Sequence, residues 1–199
     1  MKLHVIVIAY NRPIALRGLI DSFLLQINPH WILTVVHDGP ASDAVKKTMS
    51  LYKNDNRICW IDTDARQGNY GHENRKKMLQ MLTGDPDDFV LITNDDNYYV
   101  PCFVEYCFLE IINSKVQKVG MVYCDFIHHT TGWEVIQAMP MTNYIDMGAY
   151  IVNLKIAQEV GFVHDVPYAD GLFAEECDAL CRSRRLRVVH IPKVLFVHN

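Results

Sequence analysis

Phe89-Val90-Leu91-Ile92-Thr93-Asn94-Asp95-Asp96-Asn97-Tyr98-Tyr99-Val100-Pro101 decides how this chain is read. Its apolar first third reads as a buried strand. The run then stops at two adjacent carboxylates flanked by Asn94 and Asn97. Open α/β sheets bind ligands just beyond the carboxyl ends of their strands. Clustered carboxylates at such an edge offer hard oxygen ligands. These suit Mg²⁺ or Mn²⁺, ions that commonly grip phosphate. The same residues also suit a plain surface turn, since Asn and Asp are favoured there. Which reading holds depends on the segments around them.

Upstream, Leu3 to Ala9 is nearly continuous, apolar and β-branched, as a strand buried on both faces is. Tyr10-Asn11-Arg12-Pro13 breaks it, and Pro13 opens a helical pattern with Leu16, Leu19, Ile20, Phe23, Leu24 and Ile27 on one side. Trp31 to Val36 is a second buried strand, ended by His37-Asp38-Gly39-Pro40. A weaker helix over about Ser42 to Lys53 and a strand at Ile58 to Ile61 follow. The loop Arg66-Gln67-Gly68-Asn69-Tyr70-Gly71 then leads into a helix reaching about Leu82. Beyond Pro101, Phe103 to Ser114 reads as a helix and Gly120 to Asp125 as a fifth strand. This alternation predicts a mostly parallel sheet with helices on both faces. The rhythm changes after Asp125. His128 to Trp133 reads as a turn, Asp146 to Val152 as a strand, Asp170-Gly171 as a loop and Glu175 to Arg184 as a helix. Val188 to His190 and Val194 to Val197 read as two closing strands.

Composition narrows the function classes. The chain has 199 residues, half of them hydrophobic, which is enough for one core and predicts one domain. A net charge of −4 gives no electrostatic reason to expect nucleic acid. No apolar run approaches the roughly 20 residues of a membrane span, and the start lacks a cleavage pattern. The six cysteines form no CxxC pair and mostly sit in apolar context, so a reducing, cytoplasmic compartment is expected. Cys177 and Cys181, four apart, are the one spacing compatible with zinc, against the plainer reading of core thiols. The chain stops at His198-Asn199 without a polar tail, as a catalytic domain excised from a longer protein would.

Polar clusters at successive strand ends follow an order that resembles the GT-A-fold glycosyltransferases, most closely the inverting family-2 group. The resemblance rests on the opening strand with Tyr10-Asn11-Arg12-Pro13, on His37-Asp38-Gly39-Pro40 and on Gln67 to Arg75. It continues through Asn94-Asp95-Asp96-Asn97, Glu175-Glu176-Cys177-Asp178 and the closing Ile191 to His198. It implies a GT-A, Rossmann-like three-layer α/β sandwich over residues 1–199. Residues 1–125 would bind the nucleotide, and residues 126–199, with a small additional β region, would serve acceptor and catalysis. Two departures stand out. Asn94 takes the first place of the family's Asp-x-Asp, and Glu176 takes the Asp of its Glu-Asp pair.

The resemblance implies hexose transfer from a nucleotide-sugar, a UDP-sugar such as UDP-glucose, to a glycan, glycoprotein or lipid-linked acceptor. Ala9, Tyr10, Asn11, Arg12, Asp38, Asn69, Gly71, Arg75, Asn94 and Asp95 would hold the donor, with Tyr10 on the base, Asp38 accepting from a base N–H and Arg12 near phosphate. Asp96 and His198 would bind Mn²⁺ or Mg²⁺, which neutralises charge on the departing diphosphate. Glu176, or Glu175 beside it, would take the acceptor's proton. Each has a plainer reading: Asp38 as a turn cap, the two Glu as helix-start acids, Arg12 and Arg75 as solvated side chains. Asp146-Met147-Gly148 and Trp133 are further candidates to line the sugar pocket, and Asp170-Gly171 reads as a mobile loop that would fold over the acceptor. A sugar-phosphate nucleotidyltransferase is discounted, because Ala9 to Pro13 contains no glycine. A non-catalytic nucleotide-sugar-binding module and a retaining glycosyltransferase remain as alternatives.

Overall fold

The strand β1 (Leu3–Ala9) is buried along its whole length, and its one imidazole, His4, is satisfied by Asp88 at 3.0 Å. Each fully buried Val, Leu or Ile contributes roughly 1.5–3 kcal/mol, so this strand anchors the core. The computed structural model describes residues 1–199. From β1 the chain runs through α1 (Pro13–Leu24), β2 (Trp31–His37), α2 (Asp43–Ser50), β3 (Ile58–Asp62), α3 (His72–Met81) and β4 (Phe89–Asn94). Then come β5 (Tyr98–Tyr99), α4 (Phe103–Asn113), β6 (Val119–His128), β7 (Val135–Ile136), β8 (Tyr150–Asn153), α5 (Leu154–Val160), α6 (Ala169–Ser183) and β9 (Arg187–His198).

All strands join one sheet in the order β3-β2-β1-β4-β8-β6-β9-β5, with β7 paired to β6. Strands β1 to β4 are mutually parallel, and β9 is parallel to β6. The sheet is therefore mostly parallel, as the sequence predicts. The expected run of parallel neighbours breaks at β8, which lies antiparallel between β4 and β6. Crossovers between parallel strands are right-handed. Strand order reverses at β1, so α1 and α2 cover one face and α3 the other. That reversal opens a crevice beyond the ends of β1 and β4.

Four local readings change. The strand read over Asp146 to Val152 begins only at Tyr150, after a 3₁₀ turn over Met147–Ala149. The stripe of α1 ends at Phe23; Leu24 and Ile27 lie beyond the contact face and are exposed. The two closing strands are one, β9, which passes Pro192 through register shifts against β6, where proline is tolerated. Helix α6 starts at Ala169 rather than Glu175. Its buried stripe of Ala169, Phe173, Ala174, Cys177 and Cys181 is continuous at helical spacing, and this outweighs the turn signal of Asp170-Gly171. Gly171 is in the helix because a Cβ there would lie 2.6 Å from Thr142 Cα. The cysteines are all free, and Cys177 and Cys181 are buried core thiols.

Candidate active site

The ends of β1, β2 and β4 wall a cavity of about 320 Å³, closed on its far side by residues 66–71 and by the end of β9. A second cavity of about 200 Å³ adjoins it, and the two share Tyr70, Arg75, Asn94 and His198. Most of the donor-site candidates line the first, Ala9, Tyr10, Arg12, Asp38, Asn69, Gly71, Arg75 and Asn94, and so do the two metal candidates, Asp96 and His198.

Tyr10 leaves β1 with its N–H donated to Asp95 Oδ2 at 3.0 Å, and the Arg66 guanidinium lies over its ring at 3.9 Å. Arg66 was not visible as a site residue in the sequence. The long loop after β3 carries it there, and no periodicity marks that loop. Asn11, with φ +49, turns outside the cavity and donates its N–H to His37 Nε2 at 3.2 Å. Asp38 is 4% exposed, and its carboxylate accepts from Gln67 N–H at 2.8 Å, Gly68 N–H at 2.9 Å and Asn74 Nδ2 at 2.9 Å. Much of its capacity thus holds the loop that forms the wall. That wall is unusual backbone: Gly68, Asn69, Tyr70 and Gly71 all have positive φ. Gly71 fits because a Cβ there would lie 2.5 Å from Ile8 Cγ2.

Arg75 is buried beneath both cavities. It donates to Tyr70 C=O and, at 2.5 Å, to Asn94 Oδ1, while its Nε–H has no partner. Burial pushes it down to about 10, opposed by the charges of Asp170 and Asp146, so it stays a cation at neutral pH. Asn94 is neutral, so the hydrogen bond to it leaves the charge of Arg75 in place, offset only through space by Asp170 and Asp146.

Asp95 and Asp96 differ. Asp95 is fully buried and turned inward against Tyr10 N–H and Arg12. Burial raises its carboxyl to about 6, with Arg12 opposing. Asp96 faces the cavity, pairs with Arg12, and keeps Oδ1 buried without a hydrogen-bond partner. An orphaned carboxylate oxygen with an imidazole on the same cavity fits a divalent cation. Asp96 and His198 are the residues that would hold it. His198 sits with Nδ1 3.1 Å from Asp146 Oδ2. Burial alone would lower its basicity, but Asp146, with Asp96 and Asp170 farther off, raises it overall.

The model of glycosyl transferase family 2 matches residues 4–163. The chain belongs to that family. Its fold is that of the GT-A glycosyltransferases. S. aureus TarS residues 1–349 superimposes with a TM-score of 0.78 at 17% identity, covering 100% of this chain and 60% of that one. The same protein in complex with UDP-GlcNAc gives 0.77 at 17%, covering 99% and 58%. The mannosyltransferase PcManGT of Pyrobaculum calidifontis, in complex with GDP-Man and Mn²⁺, gives 0.74 at 16%, covering 99% and 56%. The chain thus spans about 60% or less of the length of these structures. No curated protein matches it.

The family match ends before α6 and β9, so the candidate base rests on geometry. Glu175 and Glu176 do not begin a helix; they lie in the second turn of α6 and line neither cavity. Glu175 Oε1 accepts from Thr142 N–H at 2.6 Å, a bond that holds its carboxyl below the usual range. Glu176 is 2.8 Å from His164 Nε2, on the outer side of the wall. The carboxylate that α6 does bring to the centre is Asp170, which lines the second cavity with Asp146, Arg75 and His198. Burial and the neighbouring Asp146 raise it to about 6.

Proposed function

We propose that this domain transfers a hexose from a nucleotide-sugar, with a UDP-sugar such as UDP-glucose favoured, to a glycan, glycoprotein or lipid-linked acceptor. The observation that carries this is the junction of the two cavities. A buried cation, Arg75, lines both cavities; Asp96, with an unpaired carboxylate oxygen, lines the larger one, and Asp170 the smaller. The larger cavity takes the nucleoside, with the base against Tyr10 and Arg66 and near Asp38. The diphosphate lies at the junction and the sugar in the smaller cavity. This assigns donor binding mainly to residues 1–125 and acceptor chemistry to residues 126–199.

Mn²⁺ or Mg²⁺ held by Asp96 and His198 would supply Lewis-acid stabilisation of the leaving diphosphate. Arg75 adds a fixed positive charge where negative charge develops. Asp170 replaces Glu176 and Glu175 as the proposed base. It accepts the acceptor hydroxyl's proton as that oxygen attacks the anomeric carbon opposite the diphosphate. A carboxyl near 6 is a stronger base than an ordinary Asp and is still mostly ionised at neutral pH. Solved structures of the same fold hold UDP-GlcNAc or GDP-Man with Mn²⁺, which supports a nucleotide-sugar donor. Free thiols support a reducing, cytoplasmic setting.

The test is release of nucleoside diphosphate from UDP-glucose, UDP-GlcNAc and GDP-mannose with Mn²⁺, with and without saccharide acceptors. Metal-dependent release with one donor is expected. Asn94, where the family pattern has Asp, favours a second reading, a nucleotide-sugar-binding module. Tight binding with no release under any condition would establish that one instead.

A further inference from the structure

Imidazoles gather at the edge where β6 and β9 end. The parallel register of these strands sets His128 opposite His198. The chain then enters a short 3₁₀ turn at His129, so the next imidazole falls on the same spot. One ligating nitrogen from each of His128, His129 and His198 lies within 4.8 Å of the others. We propose that these three histidines bind a borderline-soft divalent cation of the Zn²⁺ class. This site is separate from the one at Asp96 and competes with it for His198.

The ligand chemistry selects the ion. Imidazole ligands favour Zn²⁺, Ni²⁺, Cu²⁺ or Co²⁺, whereas Mg²⁺ and Mn²⁺ prefer oxygen. Three protein nitrogens with one open position is a common zinc arrangement. His198 has a carboxylate neighbour of the kind that supports a ligating histidine, at ion-pair distance though not in hydrogen-bonding alignment. Its Nδ1 is 3.1 Å from Asp146 Oδ2, which leaves Nε2 free. His128 can be prepared the same way, because Thr130 Oγ1 lies 2.7 Å from its Nδ1 and can accept Nδ1–H. That tautomer gives up the 3.1 Å bond from Thr130 N–H, an exposed group that water can satisfy.

The rings lie nearly parallel, at 13° for His128 with His198 and 17° for His128 with His129. One ion cannot lie in the plane of stacked rings, so His128 and His129 must turn about χ2. That torsion is soft, and His129 is exposed. Neither His128 nor His129 lines the donor cavities, whereas His198 lines both. An ion on the trio therefore withdraws His198 from the donor site and slows transfer.

The test is a Co²⁺ titration of the full chain without nucleotide, in a Cys59→Ser background that removes the exposed thiol. Visible absorption and competition by Zn²⁺ are the readouts. One equivalent with a nitrogen-rich, low-coordination spectrum is expected. It persists in Asp96→Asn and weakens at least about tenfold in His128→Asn and in His129→Asn. The metal-free melting temperatures of those two variants should match the parent. Binding that ignores both His substitutions, or disappears in Asp96→Asn, or does not occur, overturns the proposal. These readouts need no transferase activity, so failure here is distinct from failure of the proposed function.

Discussion

Asp170 is buried beside Asp146, and the two effects raise its carboxyl from 3.8 to about 6. A raised folded value means that the folded chain holds this proton more tightly than the unfolded chain. The contribution is stabilising below about pH 4 and is lost as pH climbs through about 6. Asp170→Asn should therefore melt higher than the parent at neutral pH, by up to about 3 kcal/mol of stability. The gain should vanish in melts below about pH 4. Product formation in the same variant should fall by roughly 10²–10⁴-fold. Stability up with activity down is the signature of a buried functional charge. Glu176→Gln, at a carboxylate that meets His164 outside the cavities, should keep turnover within about twofold in the same assay; a large loss would restore it as base. Tyr70 sits in the left-handed region at φ +55, with 67% of its surface exposed. Such a conformation costs an ordinary residue about 1–2 kcal/mol, and Asn tolerates it better. Tyr70→Asn should raise the ligand-free melting temperature by a few degrees.

At the level of elements, direction and packing partners were less legible than element type. The strands β1, β2 and β4 are nearly continuous apolar runs because they are largely buried on both faces, and their ends carry the polar residues of the crevice. That is why Tyr10, Asp38, Asn94 and Asp96 could be picked out from sequence. The four residues of β8 pair antiparallel between two neighbours, and nothing in a short apolar run encodes that direction. Arg66 and Tyr70 reach the site on a loop without periodicity. Asp170 was legible only as part of a mobile loop over the acceptor, because Asp-Gly signals a turn, while here its glycine serves close packing inside α6. Gly171→Ala measures that packing. Alanine gains about 1 kcal/mol in helix propensity. Its Cβ, however, would lie 2.6 Å from the Thr142 backbone, and overpacking costs about 1–3 kcal/mol. A net fall in melting temperature is expected; a rise would mean that the 139–145 segment gives way freely.

For the whole molecule, no helix is long and apolar enough to cross a membrane. Three of the 19 Lys and Arg residues, Arg12, Arg66 and Arg75, line the larger cavity of a chain whose net charge is −4, and Arg12 is paired there with Asp95 and Asp96. On the proposed function, anion affinity is local and set by the crevice between β1 and β4. A ligand that binds only the folded chain adds about 2.7 kcal/mol at 100 times Kd, or roughly 5–10 °C of melting temperature at this size. The measurement that tests the central claim most directly is thermal melting against UDP-, GDP-, CMP- and dTDP-sugars with and without Mn²⁺, in the parent and in Asp96→Asn. The account predicts a shift of that size for one nucleotide family, largest with Mn²⁺, whose metal dependence disappears in Asp96→Asn. No shift with any nucleotide-sugar in the presence of Mn²⁺ would contradict it.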